Sequence, residues 1–279
     1  AGIVTVPRPG PSCLIQYPNL EREKVVGLSS EQRVRYDRNI SIPGFGEEGQ
    51  ERLLRSRVLI VGLGGLGSPV AFYLAAAGVG TLGLMDSDVL ELSNLQRQVL
   101  HTTARLGEPK AASAHETLAP LNPDVRFQTL GTRLTEDNAG EIFAEYDVVV
   151  ECSDNFPTKF LINDMCLTHR KPFATAGILS LSGQGLFVVP GRSPCLRCAV
   201  PEPPHGVPTT AELGVLGAVP GVLGSLEALE VIRYLIGLWK PQPDGRGLLH
   251  SVNGDAMRLS TMRIPRRPDC RCAPLWSEP

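Results

Sequence analysis

VLIVGLGGLG, residues 58–67, is the stretch whose reading decides the fold. Its first half is an apolar run bounded by glycine, the signature of a buried strand. Gly62, Gly64 and Gly67 then fall in a G-x-G-x-x-G arrangement, and the chain continues as an alanine-rich segment, SPVAFYLAAAGVG, that reads as a helix. Its closing glycines suit a left-handed helix cap. In such a strand–turn–helix, Gly62 allows the tight turn and Gly64 lets backbone approach a phosphate or ribose. Gly67 lets the helix pack on the strand. The free N–H groups at the helix start favour an anion. Asp86 closes the next strand, TLGLMD, 19 residues after Gly67. A carboxylate there can accept hydrogen bonds from ribose hydroxyls. The pattern points to a nucleotide without choosing between NAD and ATP.

Outward from this core, strands and helices alternate. SSEQRVRYDRN reads as a short helix capped by Ser29 or Ser30, and EEGQERLLRS as a second. After TLGLMD come a helix near PKAASAHETLAPL, a strand VRFQTL, a helix near EDNAGEIFA, a strand YDVVVE, a helix FPTKFLINDMCLTH and a strand PFATAG. This alternation predicts an α/β fold: a Rossmann-like, mainly parallel central sheet with helices on both faces. From Gly183 the character changes. A strand GQGLFVVP leads into a loop rich in Pro, Gly and Cys, then an amphipathic helix VLGSLEALEVIRYLIGLW whose apolar surface is broken by Glu227, Glu230 and Arg233. Additional strands at LLHSVNG and MRLSTMRI elaborate this C-terminal half. Residues 29–279 read as one domain. Residues 1–28, with four prolines in the first twenty and little periodicity, read as an N-terminal extension outside the core.

Composition narrows the function classes. The 279 residues are 42% hydrophobic and carry a net charge of -2, so no basic field points to nucleic acid. The first residues lack the charged start and apolar run of a signal peptide. Leu213–Leu226, the most apolar later stretch, is too short to span a bilayer and contains Pro220. The expectation is a cytoplasmic protein with no membrane span.

A polar run favours ATP. In SDVLELSNLQRQ, Ser93, Asn94, Gln96, Arg97 and Gln98 follow closely behind the ribose-binding position, with Leu95 among them. Lys110 follows Pro109 at a helix start, and Asp154 and Asn155 lie just past VVVE. Parallel strands present their C-terminal ends to one crevice, so these tips should share a cleft. Hydride transfer needs no such cluster. Nucleotidyl transfer does, because negative charge builds on the phosphate oxygens and on the leaving pyrophosphate. Asp154 could hold Mg²⁺, which takes one or two carboxylates besides phosphate oxygens. Taken singly, Arg97 reads equally as a surface charge, Lys110 as an ordinary helix start and Asp154 as a cap for FPTKF. Their ordered occurrence behind a glycine loop argues against that joint reading.

Together these motifs resemble the ubiquitin-like-protein activating enzymes of the bacterial MoeB/ThiF/HesA type. The likeness rests on RYDRN (35–39), the glycine loop, the Asp86-x-Asp88 pair, LSNLQRQ, the Lys110 segment, the CSDN run ending at Asn155, the Cys195/Cys198 pair and GVLGSLEALE. It extends from about Leu28 to Cys272. The resemblance implies that ATP adenylylates the C-terminal Gly-Gly carboxylate of a ubiquitin-like sulfur-carrier protein. Pyrophosphate leaves, and the acyl-adenylate awaits a separate sulfur donor. It further implies that Gly65 and Asp86 hold the nucleotide, with Asp88 nearby and Asn155 beside a Mg²⁺-binding Asp154. Ser93 to Arg97 would line the site, with Asn94, Arg97 and Lys110 acting on phosphates. Arg38 would reach across a homodimer into the partner's site.

The seven cysteines include a CxxC at Cys195 and Cys198 and a CxC at Cys270 and Cys272. Four thiolates suit a closed structural Zn²⁺ site, with disulfides or free thiols as the alternatives. The resembling family has a second CxxC where this chain has CxC. Some relatives also carry a cysteine that receives the activated carboxylate or sulfur, about where this chain has Thr210. Threonine forms no thiolate, so the reaction is expected to stop at the adenylate. Cys13 reads as free, Cys152 and Cys166 as packing residues, and the five scattered histidines as surface residues. Two competing readings remain: an NAD-dependent oxidoreductase, which leaves Arg97, Lys110 and Asp154 idle, and a non-catalytic ATP-binding scaffold.

Overall fold

The computed structural model describes residues 27–204, 206 and 208–276. Cys13, His205 and nearly all of the expected extension lie outside them. Leu28, the last residue assigned to that extension, is buried and belongs with the core.

Three short helices come first: α1 (Ser30–Arg35), α2 (Asp37–Ile40) and α3 (Gly46–Arg55). Ser29 caps α1 in a reciprocal box with Gln32. The glycine-loop unit follows as β1 (Arg57–Val61), α4 (Gly67–Ala77) and β2 (Thr81–Met85). Gly78 ends α4 in the left-handed conformation, with φ of 84°. Then come α5 (Lys110–Leu118), β3 (Arg126–Leu130), α6 (Glu136–Ala144), β4 (Val148–Glu151), α7 (Phe156–Thr168) and β5 (Phe173–Leu179). The elaborated half holds β6 (Ser182–Val188), α8 (Leu196–Ala199), α9 (Thr210–Leu213), α10 (Ala218–Leu235), β7 (Gly247–Asn253) and β8 (Arg258–Ile264).

One sheet contains every strand, in the order β3-β2-β1-β4-β5-β6-β7-β8. Strands β3 to β5 in that order are mutually parallel. Strands β6, β7 and β8 add antiparallel ribbons to one edge. The alternation of side chains explains why the central strands are apolar throughout. Val58 and Ile60 of β1 enter a core with α4, α5 and α10. Leu59 and Val61 enter the opposite core with α6, α7 and the paired cysteines. The expected Rossmann-like fold with helices on both faces is therefore present.

Two details differ from the sequence reading. Helix α10 starts four residues before the expected Val222 and ends at Leu235; Pro220 sits in its first turn, where a missing N–H costs nothing. Glu227 faces inward and is 4% exposed. No described helix is long and apolar enough to cross a membrane.

Candidate nucleotide site and cysteine cluster

The sheet order reverses beside β1: β2 and β3 lie on one side and β4 on the other. Ligands bind outside the strand ends at such a switch point. Here the glycine loop meets the tip of β4. Gly62 has φ of 94°, and a side chain on it would meet the Cys152 carbonyl oxygen at 2.7 Å and the Ser153 nitrogen at 3.1 Å. A methyl on Gly67 would lie 2.0 Å from the Gly62 carbonyl oxygen. Gly65 opens towards Arg97 Cγ and the Pro220 ring, at 3.5 and 3.3 Å from a built Cβ.

Asp86 is tied to this loop. Its Oδ2 accepts the Leu63 N–H at 2.8 Å and its Oδ1 accepts the Asp88 N–H at 2.9 Å. Asp88 in turn takes the Lys110 ammonium at 3.0 Å. The Lys110 backbone N–H also donates to the Asp88 carbonyl at 2.9 Å. Lys110 is thus buried and paired within the cleft wall. The polar run arrives beside Gly65: Arg97 Nη1 donates to the Ser93 carbonyl at 3.1 Å. Asn94 Oδ1 accepts the Glu91 N–H at 3.1 Å. Ser93 and Gln96 are exposed, and Leu95 is half-buried.

At the tip of β4, Asp154 is exposed, and no described residue pairs with its carboxylate. Asn155, not Asp154, caps α7, accepting the Thr158 N–H at 2.9 Å. Of the expected residues, Gly62, Gly64, Gly65, Gly67, Asp86, Asp88, Arg97 and Lys110 come together with the Ser153–Asn155 tip. Arg38 does not: its side chain is 95% exposed and, among the described residues, pairs only with its neighbour Asp37, at 3.4 Å.

Sequence reasoning missed three residues of this region, His101, Glu151 and Lys159, and placed Gln98 in the polar run without giving it a role. Gln98 is buried beside Gly64, with Nε2 3.5 Å from a built Cβ. Its Oε1 has no partner among the described residues, which leaves an acceptor for a ligand O–H or N–H. His101, expected at the surface, is 6% exposed. Its Nε2 meets the Leu63 carbonyl at 3.0 Å and its Nδ1 meets Ser113 Oγ at 2.8 Å. A carbonyl only accepts, so the proton sits on Nε2. Burial pulls its pKa below the usual value, aided by the charges of Lys110 and Arg105. Glu151 and Lys159, also missed, form a buried pair at 2.8 Å. Only their proximity to CSDN signalled them.

On the opposite core, the sulfur atoms of Cys195, Cys198, Cys270 and Cys272 all lie within 4.8 Å of one another, and all four residues are buried. None is in a disulfide. Cys195 and Cys270 are 3.4 Å apart, Cys198 and Cys272 3.5 Å. A tetrahedral zinc with bonds near 2.3 Å needs sulfurs about 3.8 Å apart, so the donor set fits despite the missing residue of CxC. Hydrogen bonds from Cys195 and Cys272 pull the Cys198 thiol below its usual value. Asp164 of α7 braces this knot: it takes Arg197 through two bonds of 2.8 Å and Arg271 through a third of 2.8 Å. Neighbouring Asn163 accepts the Leu196 N–H at 3.0 Å. Cys152 and Cys166 are buried, and burial pushes both thiols well up, as suits packing residues. Thr210 opens α9 and offers no thiol.

The sequence profile of the ThiF family matches residues 36–272. Over 257 residues the chain is 44% identical to a Thermus thermophilus protein named sulfur carrier protein adenylyltransferase, covering 90% of this chain and 95% of that one. It is 46% identical over 245 residues to the adenylyltransferase and sulfurtransferase MOCS3 of Mus musculus, covering 87% of this chain and 53% of that protein. The chain thus spans about half the length of that two-activity relative. Among solved structures, E. coli MccB superposes with a TM-score of 0.76 at 23% identity, over 88% of this chain and 73% of that one. That likeness concerns the fold.

Proposed function

The chain belongs to the ThiF family, and from that premise we propose that it is an ATP-dependent adenylyltransferase acting on the C-terminal Gly-Gly carboxylate of a ubiquitin-like sulfur-carrier protein. The observation that carries this reading is the meeting of the glycine loop with Asp86, Arg97, Lys110 and the Asp154 tip at one switch point. The 44% identity to a sulfur carrier protein adenylyltransferase supports it. An oxidoreductase would leave the cations and Asp154 without work.

The carrier carboxylate attacks the α-phosphorus of ATP. The bond from that phosphorus to the bridging oxygen breaks, and pyrophosphate departs with the electron pair. The attacking group is already ionised at neutral pH, so no general base is required. Catalysis is then positioning and charge neutralisation. Gly64 and Gly65 admit the phosphates, Asp86 accepts from the ribose, and Arg97 and Lys110 face the developing negative charge. Asp154, unpaired and at the cleft, would hold Mg²⁺, which screens the phosphate oxygens when bound. Full exposure of Arg38 supports a homodimer in which it completes the partner's site. Such a guanidinium contributes charge without proton chemistry. The four buried thiols would hold a structural zinc, and free thiols with ATP chemistry fit a cytoplasmic location. With Thr210 in place of a thiol, a separate donor supplies the sulfur.

The test is ATP–pyrophosphate exchange with candidate carriers ending in Gly-Gly, read together with the mass of the carrier. Exchange that requires the terminal carboxylate, and a carrier heavier by one adenylyl group, are expected. NAD binding with no exchange would sink the proposal. A DTT-sensitive covalent adduct with the carrier would overturn the part concerning Thr210.

A further inference from the structure

Glu151 and Lys159 are buried charges that stability alone does not explain. Taking such a pair out of water is costly, and apolar replacements of similar volume are often neutral or stabilising. Glu151 is 0% exposed and Lys159 7%. Every strong hydrogen-bonding position of the pair is used. Glu151 Oε1 accepts the Ser153 N–H at 2.7 Å and the Ser153 hydroxyl at 2.5 Å. Its Oε2 accepts the Lys159 ammonium at 2.8 Å and the Thr175 hydroxyl at 2.6 Å. Lys159 gives its other protons to the carbonyls of Ser153, at 2.8 Å, and Ala176, at 2.5 Å. Ser153 is therefore gripped by its N–H, its hydroxyl and its carbonyl.

On its other side the same turn rests on Gly62, whose missing side chain leaves room for Cys152 and Ser153. Two residues after Ser153 the Asn155 cap fixes the entry to α7. Between these two fixed points only the Asp154 side chain is free. Neighbouring Glu227 is buried, neither of its carboxyl oxygens has a hydrogen-bond partner among the described residues, and burial pushes its carboxyl well up, Glu151 adding to the effect. Lys159 makes its ion pair with Glu151.

We propose that Glu151 and Lys159 are positioning residues that fix the Ser153 backbone so that the Asp154 carboxylate is aimed at the cation of the bound nucleotide. The inference rests on the reading of Asp154 as a ligand of that cation. A pair that merely stapled α7 to the sheet would affect ATP binding equally with and without the metal. A pair that aims Asp154 acts only on the metal-dependent share.

The experiment uses the full chain and measures ATP affinity by calorimetry in Mg²⁺ and in EDTA. Mn²⁺ uptake by the ATP complex is followed by water-proton relaxation. Lys159→Met is expected to leave the EDTA affinity within about twofold and to weaken Mn²⁺ uptake by about 10–100-fold, the range for lost support of a metal ligand. Lys159→Arg restores most of it. Thr175→Val, which removes one bond to Glu151, gives a smaller loss of the same kind. A folded Lys159→Met chain with wild-type Mn²⁺ uptake, or with equal losses in both buffers, overturns the inference. Should Lys159→Met fail to fold, an unaltered Thr175→Val chain does the same. Asp154→Ala separates the two claims. If it keeps wild-type Mn²⁺ uptake, the cation reading falls; if it loses uptake while Lys159→Met retains it, only the positioning role falls.

Discussion

The Leu63 N–H donates to the Asp86 carboxylate across 2.8 Å, joining the ends of β1 and β2 at the point where a nucleotide would lie. Asp86→Ala removes the proposed ribose acceptor and leaves the Leu63 N–H unpaired. A hydrogen bond to a charged group contributes about 1.5–3 kcal/mol. ATP affinity should therefore fall by about 10–100-fold, with a smaller loss for Asp86→Asn. Calorimetry on the two variants checks this ordering.

Gly67 and Gly64 predict opposite kinds of failure. A methyl on Gly67 meets the Gly62 carbonyl oxygen at 2.0 Å, and neither backbone can yield. Gly67→Ala should cost about 3 kcal/mol of stability or more, read by urea denaturation. A methyl on Gly64 finds only Gln98 Nε2 at 3.5 Å, an ordinary contact. Gly64→Ala should unfold as the wild type does and lose ATP affinity if the loop admits phosphate there, as proposed.

His101 gives a pH dependence with a definite sign. Burial holds its folded pKa below the ordinary 6.5. The unfolded chain therefore binds the proton more readily, and stability rises with pH through this window. The contribution is complete above the unfolded value and is lost as pH falls from there through the folded value. His101→Gln, which cannot titrate, should flatten that part of the acid limb in a series of denaturation curves.

Arg38 and Asp154 should complement each other across a dimer. Neither Arg38→Ala nor Asp154→Ala alone should support exchange. In an equal mixture, half the dimers are mixed and each holds one intact site, so about a quarter of wild-type activity should return. A mixture as inactive as its components would place Arg38 outside the partner's site.

The cysteine cluster should carry one zinc per chain, measured by atomic emission. Cys198→Ser or a strong chelator should lower the melting temperature by on the order of 10 °C, since binding energy at such sites is folding energy.

The chain announced its fold and the outline of its site because both rest on local signals. Gly62, Gly64 and Gly67 stand at fixed spacing beside a strand, and Asp86 at a fixed distance further on. The cysteine pairs were visible for the same reason, although their convergence is a tertiary fact. What stayed hidden depends on contacts between distant segments. His101 reaches Leu63 across 38 positions, and Glu151 meets Thr175 across 24. Glu227 read as a break in an apolar surface because helical period alone does not tell which side α4 and the sheet will cover. Asn155 rather than Asp154 caps α7 because the cap is chosen by backbone conformation, which composition does not report.

Helix α7 ties two remote chemistries together. Asn155 caps it beside the nucleotide crevice, and Asp164, about 14 Å along the axis, holds the arginines of the sulfur knot. So short a helix behaves as a rod, and slack at one end is felt at the other. Loosening the grip of Asp164 on Arg197 and Arg271 would therefore be felt at the Asn155 cap, at the other end of that rod.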